Sequence, residues 1–166
     1  MIFLGIDPSL TRCGIVVIDH NKKTLLKDTF GYTISKEKEE NERIKRVLFI
    51  SSEIVKVGKE FKVDVVGIEG LGIVPRNSKI GNQIYLAELF GVIKSQIYLC
   101  LKKMPVLIPP PSWKKEIIGK GNAKKPDIKD HFIKKGYEGY TQDEFDALGV
   151  ALFLRKKLTC KWSNEK

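Results

Sequence analysis

The chain has 166 residues, 42% hydrophobic and 30% charged, which suits one domain with a sizeable core and is too short for two ordinary domains. Its formal charge of +10 suits a polyanionic partner, although a lysine-rich solvated surface would account for the charge equally well. Six residues before Asp7 are too few for a signal peptide and no apolar run approaches the ~18 residues of a membrane span, so a cytoplasmic protein without a membrane partner is expected.

In chain order, residues 2–8 read as a short buried strand that Pro8 ends. Residues 14–20, rich in β-branched side chains, read as a second strand. Asn21-Lys22-Lys23 makes a turn, and 24–34 returns as a third strand in an antiparallel meander. From 38 to 61 the period becomes helical, with Ile44, Val47, Leu48, Ile50, Ser51 and Ile54 under a charged face. Residues 63–69 form a fourth strand, apolar enough to be covered on both sides. A loop with Gly70, Gly72 and Pro75 leads to a long helix, 78–102, whose Ile84, Leu86, Leu89, Ile93 and Ile97 suit packing on the sheet.

A fifth strand at 105–108 is stopped by Pro109-Pro110-Pro111. Ser112 caps a short helix through Ile118, and 119–122 is a basic loop. Pro126 opens another helix that ends near Gly136. The last helix spans 141–158 and starts on Thr141-Gln142-Asp143-Glu144, the form of a capping box. The expected architecture is α/β. It has a five-stranded mixed sheet, a β1-β2-β3 meander plus two strands reached by crossover helices, in one domain over 1–158 with a short tail at 159–166.

Four carboxylates stand out. Asp7 and Glu69 end two apolar strands, where sites form in α/β sheets. Asp143 and Asp146 share one helix face, continued by Val150 and Phe153. Each acid alone is as readily a turn residue, a first-turn charge or an amide acceptor; their combination points to a cation site. Two unit charges ~4 Å apart repel by about 4 kcal/mol at an effective dielectric near 20, so a cluster of acids needs cations. Oxygen-only ligands suit Mg²⁺, with Mn²⁺ as a substitute, and two such ions can clamp an in-line phosphodiester displacement. Zinc does not fit: Cys13, Cys100 and Cys160 are widely spaced, read as reduced thiols with Cys100 packed in a helix, and His20 and His131 lie far apart.

Four stretches of the sequence are also familiar in order and spacing. Residues 5–14 (Gly-Ile-Asp-Pro-Ser-Leu-Thr-Arg-Cys-Gly), Ile68-Glu69, residues 113–125 (Trp-Lys-Lys-Glu-Ile-Ile-Gly-Lys-Gly-Asn-Ala-Lys-Lys) and residues 143–151 (Asp-Glu-Phe-Asp-Ala-Leu-Gly-Val-Ala) resemble the RuvC family of Holliday-junction resolvases. The resemblance implies an RNase H-like fold and a homodimer that nicks four-way junctions in two strands of like polarity. It implies metal ligation by Asp7, Glu69, Asp143 and Asp146, with two Mg²⁺ per site. It places Lys114 and Lys125 near the scissile phosphate, Lys125 in a catalytic role. Ser9 stands where the family has glycine, Gly72 where bacterial members have a base-unstacking phenylalanine, and the dimer seam is kept only at Gly91-Val92. These departures resemble a diverged, phage-type branch.

Arg76, Lys79, Lys114, Lys115, Lys120 and Lys124 lie after the strand ends that carry the acids and are expected to contact DNA. Trp113 either stacks on a base or packs in the core beside Ile117. The alternative within the same fold is a nuclease for flaps, other branched DNA or RNA–DNA hybrids. A nucleotide-binding phosphotransferase would need two such domains, and a non-catalytic DNA-binding module would not keep four acids.

Overall fold

The computed structural model describes residues 1–32, 40–71 and 80–163; Gly72, Pro75, Arg76 and Lys79 lie outside them. The elements are β1 (Ile2–Asp7), β2 (Cys13–Asp19), β3 (Thr24–Phe30), α1 (Glu40–Glu60), β4 (Val65–Glu69), α2 (Ile80–Leu101), β5 (Val106–Ile108), α3 (Pro110–Trp113), α4 (Lys125–Lys134) and α5 (Gln142–Ser163). A π-helical turn, Lys114–Ile118, continues α3.

The strands form one mixed sheet in the order β3-β2-β1-β4-β5. β1–β2 and β2–β3 pair antiparallel, as expected of a meander, while β1–β4 and β4–β5 pair parallel across the crossover helices. Period-two alternation sends side chains to both faces. Leu4, Ile6, Ile15, Val17, Val66 and Ile68 meet Val47, Ile50 and Ile54 of α1 and Leu89, Ile93 and Ile97 of α2. On the other face Phe3, Val16 and Ile18 meet Ala147, Leu148, Val150 and Ala151 of α5, with Trp113 and Phe132 beside them.

Glycines set the distance between α5 and the sheet. A Cβ on Gly5 would collide with the Ala147 carbonyl, and one on Gly14 with the Asp143 carbonyl. At these two points the backbone of α5 rests on β1 and β2 with no side chain between them. Gly5→Ala is expected to lift the helix, costing about 3 kcal/mol and roughly 6–12 °C in Tm, at the upper end of overpacking penalties. A thermal melt checks this; an unchanged Tm would contradict so close an approach.

Several boundaries differ from the sequence expectation. β3 ends at Phe30 rather than continuing to 34. Gly31 follows with its Cα against the Thr11 carbonyl, a close approach that only the tertiary fold imposes. Ser112 does not cap a helix: Pro109 holds the N-cap position, because Pro110 and Pro111 have their φ angles already set for the first turn. Helix α5 runs on to Ser163, since no glycine or proline follows 158 to end it and the Thr159 hydroxyl bonds back to the Arg155 carbonyl at 2.9 Å. The capping box forms as expected: Thr141 N–H donates to Glu144 Oε2 at 2.7 Å and Glu144 N–H to Thr141 Oγ1 at 3.3 Å.

The helix α2 needs the largest correction. Gln83–Leu101 is long and apolar enough, by length and composition, to cross a membrane, although Glu88 and Lys94 interrupt it so that no unbroken apolar run reaches ~18 residues. Leu89, Ile93 and Ile97 are core residues on the sheet, but Ile84 is 60% exposed, not packed on the sheet, and Leu99 is 59% exposed. Cys100 is likewise exposed rather than packed.

Candidate metal centre

Because β1 and β4 run parallel with Ile6 opposite Ile68, their carboxyl ends deliver Asp7 and Glu69 side by side. Gly14, opposite Asp7 across the β1–β2 ladder, seats the first turn of α5 at the same end of the sheet. One further turn brings in Asp146. One carboxylate oxygen from each of Asp7, Glu69 and Asp146 lies within 4.8 Å of the others, and all three residues are half-buried.

Such proximity is costly without a cation. The Asp7 carboxyl is pushed up to about 9, first by burial and then by the charges of Glu69, Asp146 and Asp143. Asp146 is pushed up to about 6 by burial and Glu69, against the opposing pull of a Gln142 hydrogen bond and of Lys114 and Lys125. The Gln142 amide donates to Asp146 Oδ2 at 3.3 Å, whereas Oδ1 is buried with no hydrogen-bond partner among the described residues. Three converging carboxylates, one with an orphaned oxygen, make an all-oxygen donor set suited to a hard divalent cation.

The fourth acid stands apart from this trio. Asp143 Oδ2 receives Arg12 Nε at 3.2 Å, with Arg12 mostly exposed on the β1–β2 loop. Asp143 still contributes to the field at Asp7, so it borders the cluster.

The indole Nε1–H of Trp113 donates to Glu69 Oε1 at 2.7 Å, and Trp113 is fully buried. It therefore packs in the core, as one of the two sequence readings had it, and is not available to stack on a base. Lys114 Nζ sits 5.5 Å from the centre of the Trp113 ring. Lys114 is half-buried and Lys125 exposed, and the charge of each reaches Asp146. Lys115 and Lys124 are exposed, and Lys120 pairs loosely with Asp127 at 3.5 Å. Lys114 and Lys125, at the two ends of the basic segment, thus border the acids.

Sequence reasoning overlooked Arg12, Gln142 and the Trp113 N–H. Gln142 stood four residues before Asp146, within reach on one helix face. A buried tryptophan beside an acid-bearing strand end also asks for an acceptor.

A mixed sheet carrying acids on β1, β4 and α5 matches an RNase H-like architecture with an acidic cluster able to hold a cation. The chain belongs to the family described as crossover junction endodeoxyribonuclease RuvC, whose family model matches residues 3–153. Comparison with curated protein sequences finds no significant match. Among solved structures, Thermus thermophilus RuvC in complex with Holliday junction substrate is similar at 20% identity and a TM-score of 0.76, covering 95% of this chain and 96% of that one. The Fowlpox virus resolvase in complex with substrate Holliday junction DNA aligns at 17% identity and a TM-score of 0.57, covering 95% and 99%. The yeast mitochondrial Holliday junction resolvase aligns at 12% identity and a TM-score of 0.58, covering 90% and 75%.

Proposed function

We propose that this protein resolves four-way DNA junctions by divalent-metal-dependent phosphodiester hydrolysis, making paired nicks as a homodimer. The observation that carries this reading is the convergence of Asp7, Glu69 and Asp146 in a chain of the RuvC family. Junction DNA as the substrate is supported by the Thermus and Fowlpox virus structures, both described as complexes with a Holliday junction.

Asp7, Glu69 and Asp146 would hold the cation, with Asp143 added once its carboxylate exchanges the Arg12 partner. A bound Mg²⁺ or Mn²⁺ pair supplies Lewis-acid stabilisation of phosphoryl charge and activation of water. Lys114 and Lys125, at the rim beside Asp146, bind the phosphate and set its position, Lys125 close to the reacting group. Lys115, Lys120 and Lys124 bind neighbouring phosphates; the exposed Lys120–Asp127 pair is weak enough to yield to DNA.

The homodimer reading is supported by the outer face of α2. Ile84, Gly91, Tyr98 and Leu99 are exposed along one stripe, and a Cβ on Gly91 would meet nothing within 4 Å. A second copy would cover this apolar stripe. Light scattering is expected to show twice the chain mass.

The deciding experiment compares a four-way junction, a flap, a duplex and an RNA–DNA hybrid, each with Mg²⁺, with Mn²⁺ and with EDTA. Paired nicks in the junction alone, abolished by EDTA, are expected. Equal rates on all four substrates would remove the junction assignment and leave a broader nuclease.

A further inference from the structure

Trp113 is among the largest fully buried side chains, yet its N–H is aimed at a carboxylate of the acidic cluster. Its Nε1–H meets Glu69 Oε1 across 44 residues of sequence at 2.7 Å, the short distance of a hydrogen bond to a charged acceptor. The ring fits only because α5 has Gly149 where the two meet: a Cβ there would collide with three atoms of the six-membered ring. Gly149 lies three residues after Asp146, so the helix that supplies one acid also holds the slot for the indole.

A glutamate carboxylate rotates about three side-chain torsions, and one at a strand end has little to stop it turning to solvent. From these observations we propose that Trp113 is a positioning residue. Its N–H ties down Oε1 of Glu69 and thereby holds that carboxylate towards Asp7 and Asp146. The proposal rests on the reading of these acids as a divalent-cation site. A buried aromatic that only filled the core would need neither a donor atom at this spot nor an acid within reach of it.

Hydrogen-bond partners of metal ligands typically change affinity 10–100-fold when removed. Trp113→Phe keeps an aromatic ring face beneath Lys114 and deletes the N–H. The Kd for Mg²⁺, read from thermal-shift and calorimetric titrations without DNA, is expected to rise by about 10-fold or more. The second readout keeps Trp113 in place and replaces the other tryptophan, Trp162→Phe. Indole emission of that protein is expected to shift on Mg²⁺ addition with the same midpoint as the thermal titration. Asp7→Asn in this background is expected to abolish the shift.

Wild-type Mg²⁺ affinity in Trp113→Phe, or emission blind to Mg²⁺ that the thermal titration shows to be bound, would overturn the positioning role. If Trp113→Phe fails to fold, the emission measurement decides alone. If the wild type shows no stabilisation by Mg²⁺ at all, the cation site itself is wrong and the proposal falls with it.

Discussion

Asp7→Asn is expected to lower the rate of junction cleavage by at least about 10³-fold, the scale of losing a charge-stabilising group from an active centre. Asparagine keeps the size and one acceptor oxygen but removes the charge that a hard cation requires. The pKa of Asp7 is raised by its burial and by the charges of Glu69, Asp146 and Asp143, all of which act on it. Asp143, the one further acid acting on Asp7, is engaged by Arg12 and already counted in the proposed ligand set, so it does not replace Asp7. Binding of the junction is expected to survive, because it depends on the cations of segment 114–125 rather than on the acids. Removal of one negative charge should leave affinity unchanged or slightly higher. Single-turnover cleavage with Mg²⁺ and a gel-shift titration at matched salt would measure both. Properly folded Asp7→Asn protein that cuts at the normal rate would remove Asp7 from the mechanism.

The same substitution is expected to stabilise the metal-free protein. Between the ordinary aspartate value of 3.8 and about 9, the folded chain holds a proton on Asp7 that the unfolded chain has released. Folded-state protons in excess mean that stability falls as pH rises through this window. Asp146 adds to the decline between 3.8 and about 6. At pH 8 the wild type must either protonate Asp7 or bear the burial of its charge and its repulsion with neighbours, of which one pair of charges ~4 Å apart alone contributes about 4 kcal/mol. Asparagine avoids both costs. In EDTA at pH 8 a gain of at least about 2 kcal/mol is expected for Asp7→Asn, or roughly 4–8 °C in Tm. The gap should narrow as the pH is lowered towards 4. Mg²⁺ should reverse the order: at 100 times its Kd it stabilises the wild type by about 2.7 kcal/mol, and the variant by little. Melting both proteins at several pH values, with EDTA and with Mg²⁺, tests this. A variant that melts below the wild type in EDTA at pH 8 would show that the acids do not strain the fold.

These two results would place Asp7 within a device that trades stability for metal binding. Gly5, Gly14 and Gly149 belong to the same device. Two of them let α5 lie against the sheet, and the third admits the indole that touches Glu69. The acids are thus held close by backbone contact, which resists the repulsion that would otherwise spread them.

Much of this was readable from local pattern. Apolar runs ending on Asp7 and Glu69 marked strands with acids at their carboxyl ends, because alternation and chain reversal are short-range properties. Thr141 and Glu144 marked the start of α5, and the three-residue spacing of Asp143 and Asp146 placed both near the sheet end. Folding then separated the two. Asp146 joined Asp7 and Glu69, while Asp143 turned to Arg12, a choice settled by where the β1–β2 loop comes to lie. The partnership of Trp113 with Glu69 was equally hidden, since it requires the strand β4 and the segment after β5 to meet. The helix α2 is apolar on nearly every side, so its sequence could not say which face the sheet would cover and which, with Ile84 and Leu99, would stay exposed. Hydrophobic period and capping determine which element forms and roughly which residues share a face. Which distant polar atoms come within hydrogen-bonding distance depends on how the elements pack, and only the folded chain decides that.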